Sequence, residues 1–142
     1  MTATIYNRLM AGAPPELLDR VPIFSGLDPR QREEIAGSMK GRLLAAGDTI
    51  AVEGETGVGF FVIETGTAEV SVGGDSRRKL GPGDYFGEIA LLSQAARSAT
   101  VTAETPLQCW GLTSWAFRPI VQRNASVAWS LLESLAKMLS DR

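Results

Sequence analysis

The spacing of apolar residues predicts helices at both ends of the chain and short strands between them. Near the N-terminus, apolar side chains recur at helical spacing until Pro14-Pro15 ends the pattern. Residues 16–20 predict one further turn. The side chains of this N-terminal stripe are Ile5, Tyr6, Leu9 and Met10. We expect the stripe either to cover the rest of the fold or to meet a partner.

Capping residues predict the next helix. Asp28 is a favourable N-cap, Pro29 suits the first helical position, and Gln31 stands at the capping-box position. We expect Gly41 to end this helix. Its predicted buried face consists of Ile35, Ala36 and Met39.

From Arg42 onward, short β runs are separated by glycine-rich turns. The runs are residues 43–45, 49–52, 60–64, 68–72, 77–80, 98–103 and 107–112. This pattern predicts a mainly β protein with α-helices, in which about eight strands form an eight-stranded jelly roll or barrel. One short helix, residues 88–92, is inserted late among the strands.

Two helices are predicted after the last strand. The first is capped by Thr113 or Ser114, and Pro119 within it predicts a kink or an early break. The apolar residues of this helix are Trp115, Phe117, Ile120 and Val121. The second helix covers residues 125–142 with Val127, Leu131, Leu132, Leu135 and Leu139 as its apolar residues.

The bulk properties exclude several classes of function. The 142 residues suffice for one domain, and 14 basic against 16 acidic side chains give a formal charge of −2, which argues against nucleic-acid binding. No apolar run approaches the roughly 20 residues of a membrane helix, so we expect a cytoplasmic protein without a membrane span. The chain has no histidine, and we expect neither an enzyme nor a metal site. Cys109 lies in an apolar run and is expected to be buried.

The candidate chemistry is concentrated in residues 86–100. Gly87 lets a ligand approach the backbone closely, and Glu88 offers a carboxylate to hydroxyl groups. Arg97 follows a loop of small and polar residues, and its guanidinium fork matches two oxygens of a phosphate. By themselves these residues indicate an anion site with hydroxyl groups nearby. The alternative is an ordinary surface ion pair between Glu88 and Arg97.

Phe86-Gly87-Glu88, the apolar residues that follow, the short loop and Arg97-Ser98 resemble the phosphate-binding cassette of cyclic-nucleotide-binding domains. The order of predicted helices and strands is similar to that family over about residues 21–139. The resemblance implies an N-terminal helical segment at residues 1–20 and a cyclic-nucleotide-binding domain at 21–142. Its barrel is expected at about 42–112 and its C-terminal helices at about 114–142.

The resemblance also implies roles for individual residues. Arg97 and Ser98 would bind the phosphate, and Glu88 would bind the ribose 2′-hydroxyl. The N–H groups of Ile89 and Ala90, at the start of the short helix, would add donors to the phosphate. The predicted ligand-binding residues are Val70, Leu80, Phe86, Gly87, Glu88, Ile89, Ala90, Arg97, Ser98 and Ala99.

The base is less well specified by the sequence. Leu80 and Val70 fall on base-contacting positions of the family, but core packing explains either residue equally well. Ser98 resembles the serine of bacterial adenine-selective activators. The predicted ligand is therefore cyclic AMP (cAMP), in preference to cyclic GMP (cGMP).

The family reports occupancy through its C-terminal helices, which implies a regulatory function. Pro119 and Asn124 are candidate hinges. The leucine-rich last helix could mediate a homodimer or meet a downstream effector, and it could also supply a lid over the base. The lid candidates are Trp129, Leu132, Leu135, Met138 and Arg142.

Three alternatives stay open at this point. A domain of the same fold could have lost its ligand and act as a protein-interaction module, although intact Glu88 and Arg97 argue against this. A jelly-roll enzyme of the cupin type would need metal ligands, normally histidines. The chain could also be a regulatory fragment of a longer transcription factor, channel or enzyme.

Overall fold

The computed structural model describes residues 3–57, 59–93 and 95–141. Helices stand at both ends of this part of the chain, with strands between them. The α-helices are α1 (Ala3–Met10), α2 (Pro29–Gly37), α3 (Ser114–Arg123) and α4 (Ala125–Ser140). The strands are β1 (Lys40–Leu44), β2 (Thr49–Ala51), β3 (Gly59–Thr65), β4 (Ala68–Val72), β5 (Asp75–Leu80), β6 (Tyr85–Phe86), β7 (Thr100–Ala103) and β8 (Leu107–Thr113). Short 3₁₀ helices lie at Pro15–Leu18, Pro22–Phe24 and Glu88–Leu91.

The strands form two antiparallel sheets of four strands each, in the orders β1-β8-β3-β6 and β2-β7-β4-β5. The prediction of a mainly β protein with helices is confirmed. These strands do not close into one hydrogen-bonded barrel, so the jelly-roll arrangement stays a prediction. The sequence pattern missed β6, because a strand of two residues beside a glycine has too little periodicity to detect.

Two clusters of buried side chains hold the molecule together. One contains core residues of both sheets, including Ile63, Val101 and Cys109. The other joins the helices to β3 and β8 around Phe24, whose ring centroid lies 5.7 Å from that of Phe60 and 6.1 Å from that of Phe117. The helices are therefore attached to one sheet by an apolar core of their own.

The capping prediction for α2 is confirmed in detail. The Asp28 carboxylate accepts from the N–H of Gln31 at 2.9 Å, and the Gln31 side chain accepts from the N–H of Asp28 at 3.0 Å. The prediction that Gly41 ends this helix is wrong, because α2 stops at Gly37 and Gly41 lies in β1. A Cβ at Gly41 would collide with Leu9 of α1, so this glycine allows α1 to pack closely on the strand.

The apolar stripes of the terminal helices are only partly buried. Of the α1 stripe, Leu9 is buried and Tyr6 and Met10 are exposed. In α4, Val127 and Leu131 are buried, but three large apolar side chains are exposed. These are Trp129, Leu132 and Leu139. The sequence named Leu132 and Leu139 only as apolar residues of this helix, and the packing shows that they belong to an uncovered apolar face of α4.

The boundary between the last two helices lies where the sequence predicts it, whereas Pro119 does not break α3 as expected. Asn124 separates α3 from α4 and caps α4 by accepting from the N–H of Val127 at 3.4 Å. The helix α3 continues through Pro119 to Arg123, so the early break is wrong and a kink stays a prediction. Trp115 is exposed, whereas Phe117 and Ile120 form the buried face of α3.

Among the described residues, no helix has both the length and the apolar character that crossing a bilayer requires.

Candidate functional site

The backbone around Arg97 is held by a loop that precedes β3. The N–H of Arg97 donates to the carbonyl oxygen of Glu55 at 2.8 Å, and the N–H of Gly54 donates to the carbonyl oxygen of Arg97 at 2.9 Å. An isolated antiparallel bridge joins Thr56 to Ala96. Two distant loops thus fix the point from which the Arg97 side chain extends.

The Arg97 guanidinium is a partly buried cation without a counter-charge. Its Nη2 donates to the carbonyl oxygen of Gly59 at 2.6 Å. No carboxylate of the described residues forms an ion pair with it. Partial burial lowers the pKa of this guanidinium below its ordinary value. The site thus carries a desolvation cost that an anion beside Arg97 would offset.

Two glycines make room for this side chain. A Cβ on Gly87 would lie 2.5 Å from Nη1 of Arg97 and 2.7 Å from the carbonyl oxygen of Gly59. A Cβ on Gly57 would collide with the same guanidinium. Gly87 also has a φ of 85°, which favours glycine. The sequence pattern identified Gly87 but not Gly57, because the approach of Arg97 to Gly57 depends on tertiary structure.

Glu88 begins the 3₁₀ helix Glu88–Leu91 that follows Gly87. Its carboxylate is half-buried and makes neither an ion pair nor a side-chain hydrogen bond within the described part of the chain. Partial burial raises the pKa of the neighbouring Tyr85 hydroxyl, and the charge of Glu88 adds to this rise. The alternative of an ion pair between Glu88 and Arg97 is therefore wrong, and both charged groups are available to a ligand.

A pocket of about 710 Å³ brings the predicted residues together. All ten predicted ligand-binding residues line it, including Val70 and Leu80 from the sheet and Arg97 and Ser98 from the loop. Its walls combine apolar strand side chains with charged groups that have no ion pair among the described residues, Glu88, Arg97 and Arg78, an arrangement typical of small-molecule sites.

Further lining residues were missed by sequence reasoning. They are Ala51, Arg78, Asp84, Tyr85, Ser93, Ala95, Ala96 and Val101. Strand alternation could have found Arg78, which stands two residues before Leu80 on β5, and Val101, which stands two residues after Ala99. Asp84 lies in a turn, where no periodic signal exists.

The two predicted backbone donors, the N–H groups of Ile89 and Ala90, differ in whether they already have a carbonyl acceptor. The N–H of Ala90 donates to the carbonyl oxygen of Gly87 at 3.0 Å and is already engaged. The N–H of Ile89 makes no comparable bond to a carbonyl oxygen in the described residues. Ile89 is therefore the better placed of the two donors, and the binding role of either stays a prediction.

The last helix does not cover the pocket in this structure. No described residue of α4 lines it, and α4 packs instead against the 3₁₀ helix Pro22–Phe24 and against α3. Four of the lid candidates, Trp129, Leu132, Leu135 and Met138, are therefore away from the pocket lining. The fifth candidate, Arg142, lies outside the described residues.

The family model described as cyclic nucleotide-binding domain matches residues 42–124. The chain belongs to this family. The match includes every residue that lines the pocket, and the resemblance stated from the sequence is confirmed.

Relatives and solved structures agree with the family. The cAMP-dependent protein kinase regulatory subunit of Yarrowia lipolytica is 42% identical over 93 residues, which are 64% of this chain and 25% of that protein. The N-terminal domain of a transcriptional regulator from Streptomyces coelicolor A3(2) is 30% identical with a TM-score of 0.83, over 88% of this chain and 93% of that structure. The cAMP-bound structure of PfPKA-R is 30% identical with a TM-score of 0.66, over 89% of this chain and 45% of that one. The chain spans about a quarter of the length of the curated relatives it matches.

Proposed function

We propose that this domain binds cAMP in the 710 Å³ pocket and acts as a regulatory sensor. The observation that carries the proposal is the Arg97 guanidinium, which is partly buried without a carboxylate partner among the described residues. A cyclic phosphate carries the single negative charge that such a site lacks. Glu88, unpaired in the same pocket, is a suitable acceptor for a ribose hydroxyl.

In the proposed complex, the phosphate accepts hydrogen bonds from Arg97, from the N–H of Ile89 and from Ser98. These bonds are charge-assisted and are strengthened by partial exclusion of water. Gly87 lets the ribose approach the backbone while Glu88 accepts from its 2′-hydroxyl. The oppositely charged groups thus act on different parts of the ligand, which fixes its orientation.

The choice of cAMP rests on Ser98 and on the relatives. Two matched structures are described as bound to cAMP or to its analogue Sp-2Cl-cAMPS, and the curated relatives are named as cAMP-dependent. Val70 and Leu80 present apolar surface that suits a purine face. Arg78 on the same wall favours guanine, because an arginine fork matches the O6 and N7 acceptors of that base. cGMP is therefore the competing ligand.

We propose that occupancy is transmitted through the C-terminal helices. A ligand shifts the equilibrium between two arrangements of α3 and α4 only as far as it binds one arrangement better. Asn124, which separates the two helices, is the proposed hinge. The exposed apolar face of α4 would then meet the pocket, a second copy of the chain or an effector.

Isothermal titration with cAMP, cGMP and 5′-AMP tests the ligand assignment. We expect cAMP to bind most tightly and 5′-AMP most weakly, because the open phosphate has a second charge and a different shape. Tighter binding of cGMP would contradict the assignment from Ser98. No heat with either cyclic nucleotide, in a protein shown to be folded by circular dichroism, would favour the interaction-module alternative.

A further inference from the structure

A second concavity lies behind the wall of the nucleotide pocket. It has a volume of about 350 Å³ and is formed by β1, β3, β8 and the start of α3. We call it the Trp115 groove. Its main side chains are Lys40, Arg42, Phe61, Leu112, Trp115 and Ala116. The family assignment gives this groove no function, and none of these side chains lines the nucleotide pocket.

Trp115 forms an aromatic wall that nothing in the described chain covers. It is 66% exposed, whereas Phe117 in the same helix is 1% exposed. The start of α3 is fixed, since the Thr113 hydroxyl accepts from the N–H of Ala116 at 3.2 Å. Because the helix start is fixed, the exposed Trp115 ring presents a large apolar surface that a partner can cover.

Phe61 forms the floor of the groove between two glycines. A Cβ at Gly111 would lie 2.8 Å from Cε1 of Phe61, and a Cβ at Gly59 would lie 3.6 Å from Cε2. The absence of a Cβ at Gly111 is therefore needed for the observed position of the ring. It also leaves the ring accessible from the groove.

The rim of the groove is positively charged. Lys40 and Arg42 are exposed and stand two residues apart on β1, so they share a face of the strand. The guanidinium carbon of Arg42 lies 5.7 Å from the centroid of the Phe61 ring. Neither cation forms an ion pair with a carboxylate of the described residues, and no acidic residue lines the groove. The protein as a whole has a net charge of −2, so the charge of the rim is opposite in sign to that of the chain.

We propose that the Trp115 groove docks an acidic peptide segment of a partner protein. One aromatic or branched aliphatic side chain of the segment packs between Trp115 and Phe61, and carboxylates beside it pair with Lys40 and Arg42. A pocket of 350 Å³ accommodates one such side chain with adjacent backbone. Tryptophan and arginine are the residues that most often dominate protein interfaces, and the unpaired cations determine the sign of the partner's charge.

The floor of the groove also contacts the nucleotide pocket. The ring of Phe61 stacks on that of Phe86 with centroids 5.3 Å apart, and the carbonyl oxygen of Gly59 accepts from Arg97. A side chain that shifts Phe61 or Gly59 therefore shifts two residues of the other site. We expect peptide and cyclic nucleotide to change each other's affinity by the same factor. This second part of the proposal depends on the proposed function, whereas the docking itself does not.

The docking test uses a synthetic peptide set without nucleotide. Each peptide has a central Trp, Phe, Leu or Ile flanked on both sides by Asp and Glu, and two matched sets have Lys flanks or a central Ala. Fluorescence anisotropy should show that the acidic anchored peptides bind at least tenfold more tightly than both matched sets. Equal binding of all three sets, or no binding of any peptide, would overturn the proposal.

Variants locate the binding surface. Trp115→Ala, and separately Lys40→Glu with Arg42→Glu, should each weaken acidic-peptide binding at least tenfold. Trp129→Ala and Arg30→Glu are matched controls, since Trp129 is 64% exposed on α4 and Arg30 is exposed on α2, both outside the groove lining. Equal losses in the controls would overturn the location. Arg42→Gln is the second variant should the charge reversal impair folding.

The coupling test follows only once docking is measured. The affinity for cAMP is determined with and without saturating peptide, and a change of at least threefold is expected. An unchanged affinity would overturn the coupling alone. Because the docking test contains no nucleotide, a domain that binds no cAMP would contradict the proposed function and still give a result for the groove.

Discussion

Arg97 donates from Nη2 to the carbonyl oxygen of Gly59 at 2.6 Å, across 38 positions of the chain. This bond directs the guanidinium along the wall of the pocket, and the uncharged carbonyl oxygen leaves the positive charge uncompensated. Gly59 also begins β3, so the bond attaches the loop that holds Arg97 directly to the sheet. Arg97 is thus positioned before any ligand arrives, which reduces the ordering cost of binding.

Arg97→Ala should remove most of the affinity for cAMP. A buried phosphate that loses its charge-assisted partner costs about 2–5 kcal/mol, which corresponds to roughly 30-fold to several thousandfold in Kd. Arg97→Lys should recover only part of it, because an ammonium cannot form the bidentate fork. Titration calorimetry gives the Kd values, with Arg30→Ala as an exposed arginine control outside the pocket. Equal affinities of Arg97→Ala and the wild type would rule out Arg97 as the phosphate ligand.

Gly87→Ala should weaken both the fold and nucleotide binding. A residue with a Cβ at a φ of 85° costs about 1–3 kcal/mol of stability, and this Cβ would also displace the Arg97 guanidinium. Gly74→Ala separates the two effects, because Gly74 has the same φ of 85° and a Cβ there would meet no atom within 4 Å. Urea unfolding should show losses for both variants, and calorimetry should show weaker binding only for Gly87→Ala. If both variants bind as the wild type does, close packing at Gly87 is irrelevant to the site.

The sequence predicted the part of the site whose chemistry is local. Gly87, Glu88 and Arg97 occur close together along the chain, and the residue type at each position suits its proposed role. Gly57, which packs against the Arg97 guanidinium, and Arg78, which lines the pocket, were missed for different reasons. Gly57 is placed by the approach of a distant loop, and Arg78 by the pairing of β5 with β4. Neither relationship leaves a fixed spacing in the sequence.

Arg78→Ala tests which base the pocket favours. Arg78 lies opposite Val70 in the register of β4 and β5 and has no ion pair with a described carboxylate. If its fork meets guanine O6 and N7, the variant should lose about 1–3 kcal/mol of cGMP binding and much less cAMP binding. Arg77→Ala is the matched control, because Arg77 is exposed on the same strand and does not line the pocket. Parallel losses for the two nucleotides would mean that Arg78 acts only through general charge.

The spacing of apolar residues predicts the terminal helices but does not predict which of their faces is buried. Apolar spacing predicted α4 with Val127 and Leu131 among its apolar residues. It could not separate these two buried residues from the exposed Leu132 and Leu139, because a helix pattern defines which residues share a face but not which face meets the core. That choice depends on the position of the 3₁₀ helix Pro22–Phe24, which packs against α4.

Cys109 should make stability fall at alkaline pH. Burial raises the pKa of its thiol from 9.0 to about 11, although the charge of Arg42 opposes the rise. Between these values the unfolded chain has released the proton that the folded chain still holds, so the free energy of unfolding decreases as pH rises. The full shift corresponds to roughly 2–3 kcal/mol. Urea unfolding between pH 8 and 11 should show a steeper decline for the wild type than for Cys109→Ala, and identical slopes would contradict the raised pKa.

Saturation with cAMP should bury Trp129. Trp129 and Leu132 are 64% and 57% exposed on α4, so movement of this helix onto the pocket would remove apolar surface from water. In a Trp115→Phe background, Trp110 is 1% exposed and Trp129 dominates the fluorescence accessible to acrylamide. Acrylamide quenching should therefore decrease when cAMP binds, and it should not change in the same background carrying Arg97→Ala. Unchanged quenching in a protein that binds cAMP would mean that α4 keeps its position, and the proposed transmission through this helix would then be wrong.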